Sequence, residues 1–401
     1  MRRSIVLFFV AAAPVAAQNQ VVKPPIAQYW VSVETAAGMT MPGMGATGSV
    51  VPGMTGGAAQ GGRRMALQLG SQQVPAGPPR ADHAIPAGMN MGPALPLLTP
   101  ERAAAPRGGG EPGGMEQPKG RMLIYWGCGE SVRPGQPVVI DYAKLAQGQA
   151  PGMAARRVSA PAAPAPGRNR TYGDWPNVED AKQVPDSASL RGDHAVKGSY
   201  SPEIRFSLGE GQDFMDRVAL ASAPRGAGAA SVTWNALPTA TGYFATVFGS
   251  EERDEVVFWS SSEVQEMGGM LMDYVPPSEV ARLVREKVVL APSTTECTVP
   301  AEVVKKSGGS PFLNFIAYGP EANFAQPPRP GDPKKPWDLV WTAKVRFKST
   351  ASLILGESSR PERASRPQAG PQAGREAAPP PAAAPDPVEE GIRTLRGIFG
   401  R

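Results

Sequence analysis

Histidine is almost absent from this sequence: its 401 residues contain two, His83 and His194. Zinc sites and histidine-based acid–base pairs need several such groups converging, so most designs of those kinds are excluded. There is no Gly-x-Ser-x-Gly elbow, no glycine-rich phosphate loop and no Cys-x-x-Cys pair, which removes the commonest hydrolase, nucleotide and redox signatures. Past the first twenty residues no run is long and apolar enough to span a bilayer, which takes roughly 20 apolar residues. Charge of one sign is scarce as well. The net charge of +5 is spread among interspersed acids and bases with no long basic block, which argues against a nucleic-acid partner.

Glycine and proline, by contrast, are plentiful, at 46 and 45 residues or about a quarter of the chain. That level marks loop-heavy protein. The N-terminus carries the clearest single signal. Arg2 and Arg3 precede a short apolar stretch from Ile5 to Ala13, and Val15-Ala16-Ala17 supplies small residues before Gln18. This pattern predicts a signal peptide over 1–17, cleavage near Ala17 and a periplasmic or secreted mature chain. Only two cysteines are present, Cys128 and Cys297. Export permits a disulfide between them, and two separately buried thiols are the alternative.

Hydrophobic alternation predicts a mainly β fold. Residues 18–149 read as an N-terminal β-domain with long Gly/Pro/Met loops. Its strands are expected at Gln28 to Thr35, Met65 to Leu69, Arg121 to Trp126 and Val138 to Tyr142. Residues 150–198 read as a partly ordered linker. Residues 199–355 form a more regular second β-domain, in which Ser278 is expected to cap a helix through Val289, with Val280, Leu283, Val284 and Val288 on one face. A disordered Pro/Ala/Arg tail follows over 356–386. A short amphipathic helix over 387–401 closes the chain, with Val388, Ile392, Leu395 and Phe399 sharing a face.

Within the second domain, Val232-x-Trp234 is followed by Pro238-x-Ala240-x-x-Tyr243-x-Ala245-x-Val247. Further on come Cys297 to Val303 and Phe312 to Tyr318, with a last strand from Trp341 to Phe347. These segments resemble a fibronectin type III module, an immunoglobulin-like β-sandwich. The resemblance implies that Trp234 and Tyr243 lie in the core between the sheets. It covers about a third of the chain and departs from the family at 268–292, where a helix-containing insertion sits among the middle strands. Such modules mostly bind or space other components, so the resemblance informs fold more than function.

One cluster could carry chemistry. Met39, Met41, Met44, Met89 and Met91 fall in glycine-rich loops with His83 nearby, and soft thioethers suit Cu(I). Low-complexity loops whose methionines fill apolar gaps are the competing reading. Cys128 in Gly127-Cys128-Gly129 has no histidine beside it in sequence to activate a nucleophile. The resulting expectation is an exported, non-catalytic envelope protein that binds another envelope protein or a surface polymer, with no resident cofactor. The tail helix over 387–401 is a candidate peripheral docking element. The alternative is a periplasmic copper-binding protein using the methionine loop.

Overall fold

A computed structural model describes residues 20–38, 61–100, 120–149, 158–251, 254–266 and 270–356. The signal segment, Met39, Met41, Met44 and the whole of 357–401 lie outside the described residues. The first part of the chain supplies β1 (Val22–Lys23), β2 (Ala27–Gly38), β3 (Gly62–Ser71), β4 (Ala81–Ala84) and β5 (Ala94–Leu97). Next come β6 (Arg121–Trp126), β7 (Val138–Asp141), helix α1 (Tyr142–Ala146), β8 (Thr171–Trp175), β9 (Gly192–Gly198) and β10 (Ser201–Leu208). Then follow β11 (Ala221–Arg225), β12 (Ala229–Thr233), β13 (Gly242–Gly249), β14 (Glu255–Ser260) and α2 (Pro277–Arg285). The last described elements are β15 (Glu296–Val299), α3 (Ala301–Lys306), β16 (Phe312–Gln326), β17 (Trp337–Asp338) and β18 (Trp341–Ile354).

The fold is mainly β and sandwich-like. A nine-stranded sheet runs in the order β7-β6-β14-β13-β16-β18-β2-β3-β8. Its spine is the long antiparallel pair β16–β18, interrupted by a bulge between Tyr318 and Glu321. Gly319 sits in that bulge because a Cβ there would come within 2.5 Å of the Met215 sulfur and 2.7 Å of the Phe347 carbonyl oxygen. Two smaller sheets cover one face of the large one side by side. The three-stranded sheet β11-β12-β15 brings Val232, Trp234 and Val299 against Tyr243, Val247 and Phe315. The four-stranded sheet β10-β9-β4-β5 brings Leu95, Val196, Ile204 and Phe206 against Tyr29, Val31 and Leu67. All of these side chains belong to one continuous apolar core.

The opposite face is covered in patches. Leu271, Val275, Val280, Leu283 and Val288 cover Phe244, Ile316 and Tyr318. Ile140 and Tyr142 cover Met122, Ile124 and Phe258. Helix α2 stops at Arg285, short of the expected Val289, because Lys287 adopts φ 60°. The Val288 amide then donates to the Leu283 carbonyl and the Lys287 amide to that of Val284, a Schellman closure that turns Val288 onto Leu283.

The sheet crosses the boundary that the sequence reading drew. The expected N-terminal strands do not form a domain of their own. β2 and β3 lie beyond β18, whereas β6 and β7 lie beyond β14, with four strands of the C-terminal half between them. Both joins are parallel, β2 on β18 and β6 on β14. The expected linker over 150–198 contributes β8 at a sheet edge and β9 inside the four-stranded sheet.

Candidate functional site

Cys128 follows β6 and Cys297 lies on β15, and the two are joined by a disulfide with Cα atoms 5.3 Å apart. The bond ties the nine-stranded sheet to the three-stranded one and removes Cys128 as a thiolate nucleophile. Backbone bonds run alongside it. The Gly129 amide donates to the Thr298 carbonyl at 2.9 Å, and the Ala301 amide to that of Glu130 at 3.0 Å. Gly127 turns the chain out of β6 at φ 96°, and its carbonyl accepts from the Trp259 indole at 3.0 Å. Arg225 bridges the two segments, meeting Glu130 at 3.1 Å and Glu296 at 2.6 Å.

The second feature joins the nine-stranded sheet to the four-stranded one. The Tyr29 hydroxyl on β2 lies 2.8 Å from His83 Nδ1 on β4. His83 Nε2 lies 3.0 Å from His194 Nδ1 on β9, and His194 Nε2 lies 2.7 Å from the Leu190 carbonyl oxygen. A carbonyl only accepts, so His194 Nε2 carries its proton and its Nδ1 accepts from His83 Nε2–H. His83 Nδ1 then accepts from the Tyr29 hydroxyl. Every link is satisfied by two neutral rings. Phe206 stacks on His194 at 4.8 Å and closes the group off from solvent. Burial holds His83 well below the usual imidazole range, helped by His194. Burial also lowers His194, against the opposing pull of the Leu190 carbonyl and Asp193. The Tyr29 hydroxyl is pushed well up by burial and by Tyr200.

A third cluster lies on the other face of the large sheet. Lys344, Arg346 and Lys348 alternate along β18 and so share a face. Two aromatic rings interleave them. Lys344 Nζ is 5.4 Å from the Trp30 ring and Arg346 is 4.8 Å from it. Arg346 is 4.2 Å from the Tyr274 ring and Lys348 is 4.6 Å from it. These are cation–π distances. Lys344 also meets Glu321 at 2.5 Å, Lys348 lies 3.8 Å from Asp273, and Arg346 Nε donates to Ser32 at 2.8 Å. Burial lowers the Arg346 guanidinium, opposed by Tyr274, and raises the Tyr274 hydroxyl well above its ordinary value. Lys348 is only 2% exposed. The cluster therefore pins the segment around Tyr274 onto the sheet instead of offering free cations to solvent.

Near the β8 edge, a cavity of about 180 Å³ is lined by Pro24, Pro25, Ile26, Gln28, Gly70 and Asn169 among others. It is smaller than ligand pockets, which run to roughly 300–1,000 Å³. Beside it the Tyr172 hydroxyl donates to Asp174 at 3.1 Å, and burial pushes the Asp174 carboxyl up to about 6.

The residues proposed as copper ligands are dispersed over different surroundings. Met89 and Met91 are buried in the main apolar core with Ile85, Leu95 and Leu190. His83 has both ring nitrogens engaged. Among the described residues no group of three or more His, Cys, Asp and Glu side chains is placed to hold a metal ion. A copper site would rest on Met39, Met41 and Met44, which lie outside the described residues. Trp234 and Tyr243 both lie in the core, their rings 5.6 Å apart in an edge-on contact.

Sequence reasoning missed the histidine chain and the cation–aromatic ladder. Lys344-x-Arg346-x-Lys348 on a strand was a readable signal for the ladder, since alternate residues share a face. Nothing local signalled the chain, because its partners stand 54 and 111 residues apart. Set against protein-family models, curated proteins and solved structures, the chain matches none.

Proposed function

We propose that this chain is an exported, non-catalytic envelope protein that binds another envelope protein or a surface polymer. At its centre is a fibronectin type III-like module whose sheet is lengthened at both edges by strands from the N-terminal half. The observation that carries the reading is the disulfide between Cys128 and Cys297. Such bonds persist in oxidising compartments and are rare in the cytosol. The N-terminal pattern of Arg2, Arg3, the apolar stretch and Val15-Ala16-Ala17 supports the same compartment.

Strand order supports the module. Residues 221–354 divide into β11-β12-β15 on one side and β14-β13-β16-β18 on the other, with Trp234 and Tyr243 between. A core between two sheets holding Trp234 and Tyr243 is what the resemblance implies. A binding role is favoured over catalysis because the histidines and the buried cations, the groups most able to act on a substrate, are engaged with neighbouring groups. Both imidazoles have each nitrogen bonded, and the cations of the β18 ladder are matched by carboxylates and rings. Residues 387–401 remain the proposed peripheral docking element, as an amphipathic segment too short to cross a bilayer.

Fractionation of the producing cells tests this reading, using the intact chain and one lacking 387–401 after in-cell cross-linking. The expected result is intact protein in the periplasmic or secreted fraction, with envelope-derived adducts that weaken when the segment is removed. Recovery in the cytoplasm with Met1 retained would contradict export. Identical adducts from both chains would contradict the docking role.

A further inference from the structure

Both histidines of the chain sit in one contact between two sheets, and that contact tolerates only one protonation state. The Leu190 carbonyl fixes the proton on His194 Nε2, and each earlier link follows from it. An added proton rearranges the whole chain. On His194 it would put a proton on Nδ1, shift His83 to the tautomer with its proton on Nδ1, and turn the Tyr29 hydroxyl proton away from the ring. On His83 it would likewise make Nδ1 a donor and the Tyr29 hydroxyl its acceptor. In either case a cation would be buried with no carboxylate hydrogen-bonded to it.

We propose that the Tyr29–His83–His194 chain is an acid-sensitive latch: neutral, it seats the four-stranded sheet on the nine-stranded one, and the four-stranded sheet opens as the pair takes up protons.

The groups facing the pair do not supply a compensating charge. β2 presents Tyr29, and Tyr200 stands just before β10. β10 and β16 present the apolar rings of Phe206 and Phe324. Asp82 and Asp193, next to each histidine in sequence, are exposed; Asp193 pulls weakly on His194, but neither carboxylate hydrogen-bonds a ring, whose nitrogens are all taken within the chain. Half-buried Asp174, on β8, accepts from the Tyr172 hydroxyl and acts on Tyr200. Its carboxyl titrates at about 6 and so carries a proton in mildly acid solution. Opening that exposes Asp174 would release this proton, offsetting one of the two taken up by the histidines. The two covering sheets are not attached alike. The disulfide staples the three-stranded sheet covalently, whereas the four-stranded sheet is held by the histidine chain, apolar contacts and, beside β5, the paired backbone bonds of Leu98 and Asp174 and the Asn177 amide on the Pro96 carbonyl.

The sign follows from linkage. Both rings are held below the ordinary imidazole value of about 6.5, so the closed state is favoured above that pH and loses ground as pH falls below it. Hydrogen exchange on the intact chain, corrected for intrinsic rates between about pH 8 and 5, reads this directly. The opening constant of β4, β9 and β10 amides should rise about 10- to 100-fold per pH unit below 6.5, for one to two net protons. Amides of β13 and β16 should stay protected throughout. Ring NMR on the same protein should show both histidines neutral and protonated at Nε2, with no titration in the closed state. The variant Tyr29→Phe, His83→Leu, His194→Leu should lose the rise in opening at low pH if it folds, leaving a flat profile or the opposite slope from Asp174, and the two readouts on the unaltered protein decide the matter if it does not. The proposal is overturned by protection of β4, β9 and β10 that is flat with pH. It is equally overturned by a histidine titrating near 6.5 in the closed state, by β13 and β16 opening in parallel, or by a folded variant that keeps the slope.

Discussion

At the scale of single residues, the interior is defined by which polar groups find partners. Trp234 lies at 5% exposure between Tyr243 and Phe315, with ring centroids 5.6 and 4.7 Å away. It follows β12 directly, and its amide donates to the Thr295 carbonyl at 3.0 Å, which fixes the ring over the large sheet. Its indole nitrogen has no partner, so the side chain contributes through packing alone. Trp234→Ala should cost about 3–5 kcal/mol in denaturant unfolding, the range for emptying a large buried site. A loss below about 1 kcal/mol, typical of surface changes, would mean the ring does not fill this core. This residue was legible in the sequence because Val232-x-Trp234 and the segment running on to Val247 resemble fibronectin type III strands, in which such a Trp packs in the core. The histidine pair was not, because each ring's role depends on strands that meet only in the folded chain.

At the scale of elements, alternation located the longer strands and the short β7, and missed β4 and β5. β2, β6, β13, β14 and β16 carry enough β-branched and aromatic residues to be read directly. β4 is Ala-Asp-His-Ala and β5 is Ala-Leu-Pro-Leu, sequences that local propensity assigns to loop. They are strands because Leu95 and Leu97 bury fully against the large sheet, a gain that only tertiary contact provides. The apolar spacing of α2 was visible, but its end was not, since Val288 and Val289 continue the periodicity while the backbone turns at Lys287. A non-glycine residue in that left-handed position costs roughly 1–2 kcal/mol. Lys287→Gly should therefore raise stability by about 1 kcal/mol in thermal or denaturant unfolding, with no change in the fold. A loss of stability would show that the Lys287 side chain, not its backbone, holds this corner.

At the scale of the whole molecule, the governing fact is that strands from both halves share one sheet. Composition shifts and proline-rich stretches predicted two β-domains, because local sequence records where strands are and not which strands they join. Both N-terminal additions are parallel pairings to strands more than a hundred residues away, and no turn signal announces them. They also occupy both edges of the central four strands, positions that would otherwise offer unpaired backbone to other chains. The disulfide reinforces this arrangement from outside the large sheet. Closing a loop of 169 residues is worth about 5 kcal/mol in the chain-entropy treatment, comparable to the entire net stability of many domains. The bond has that worth only if the cell lets it form, so compartment and architecture stand on the same two sulfurs. The decisive measurement is mass-spectrometric mapping, without reduction and with free thiols blocked at lysis, of protein recovered from its own cells. A single linked peptide pair containing Cys128 and Cys297, on a chain beginning near Gln18, is the predicted result. Two blocked thiols on a chain that still begins at Met1 would contradict the account.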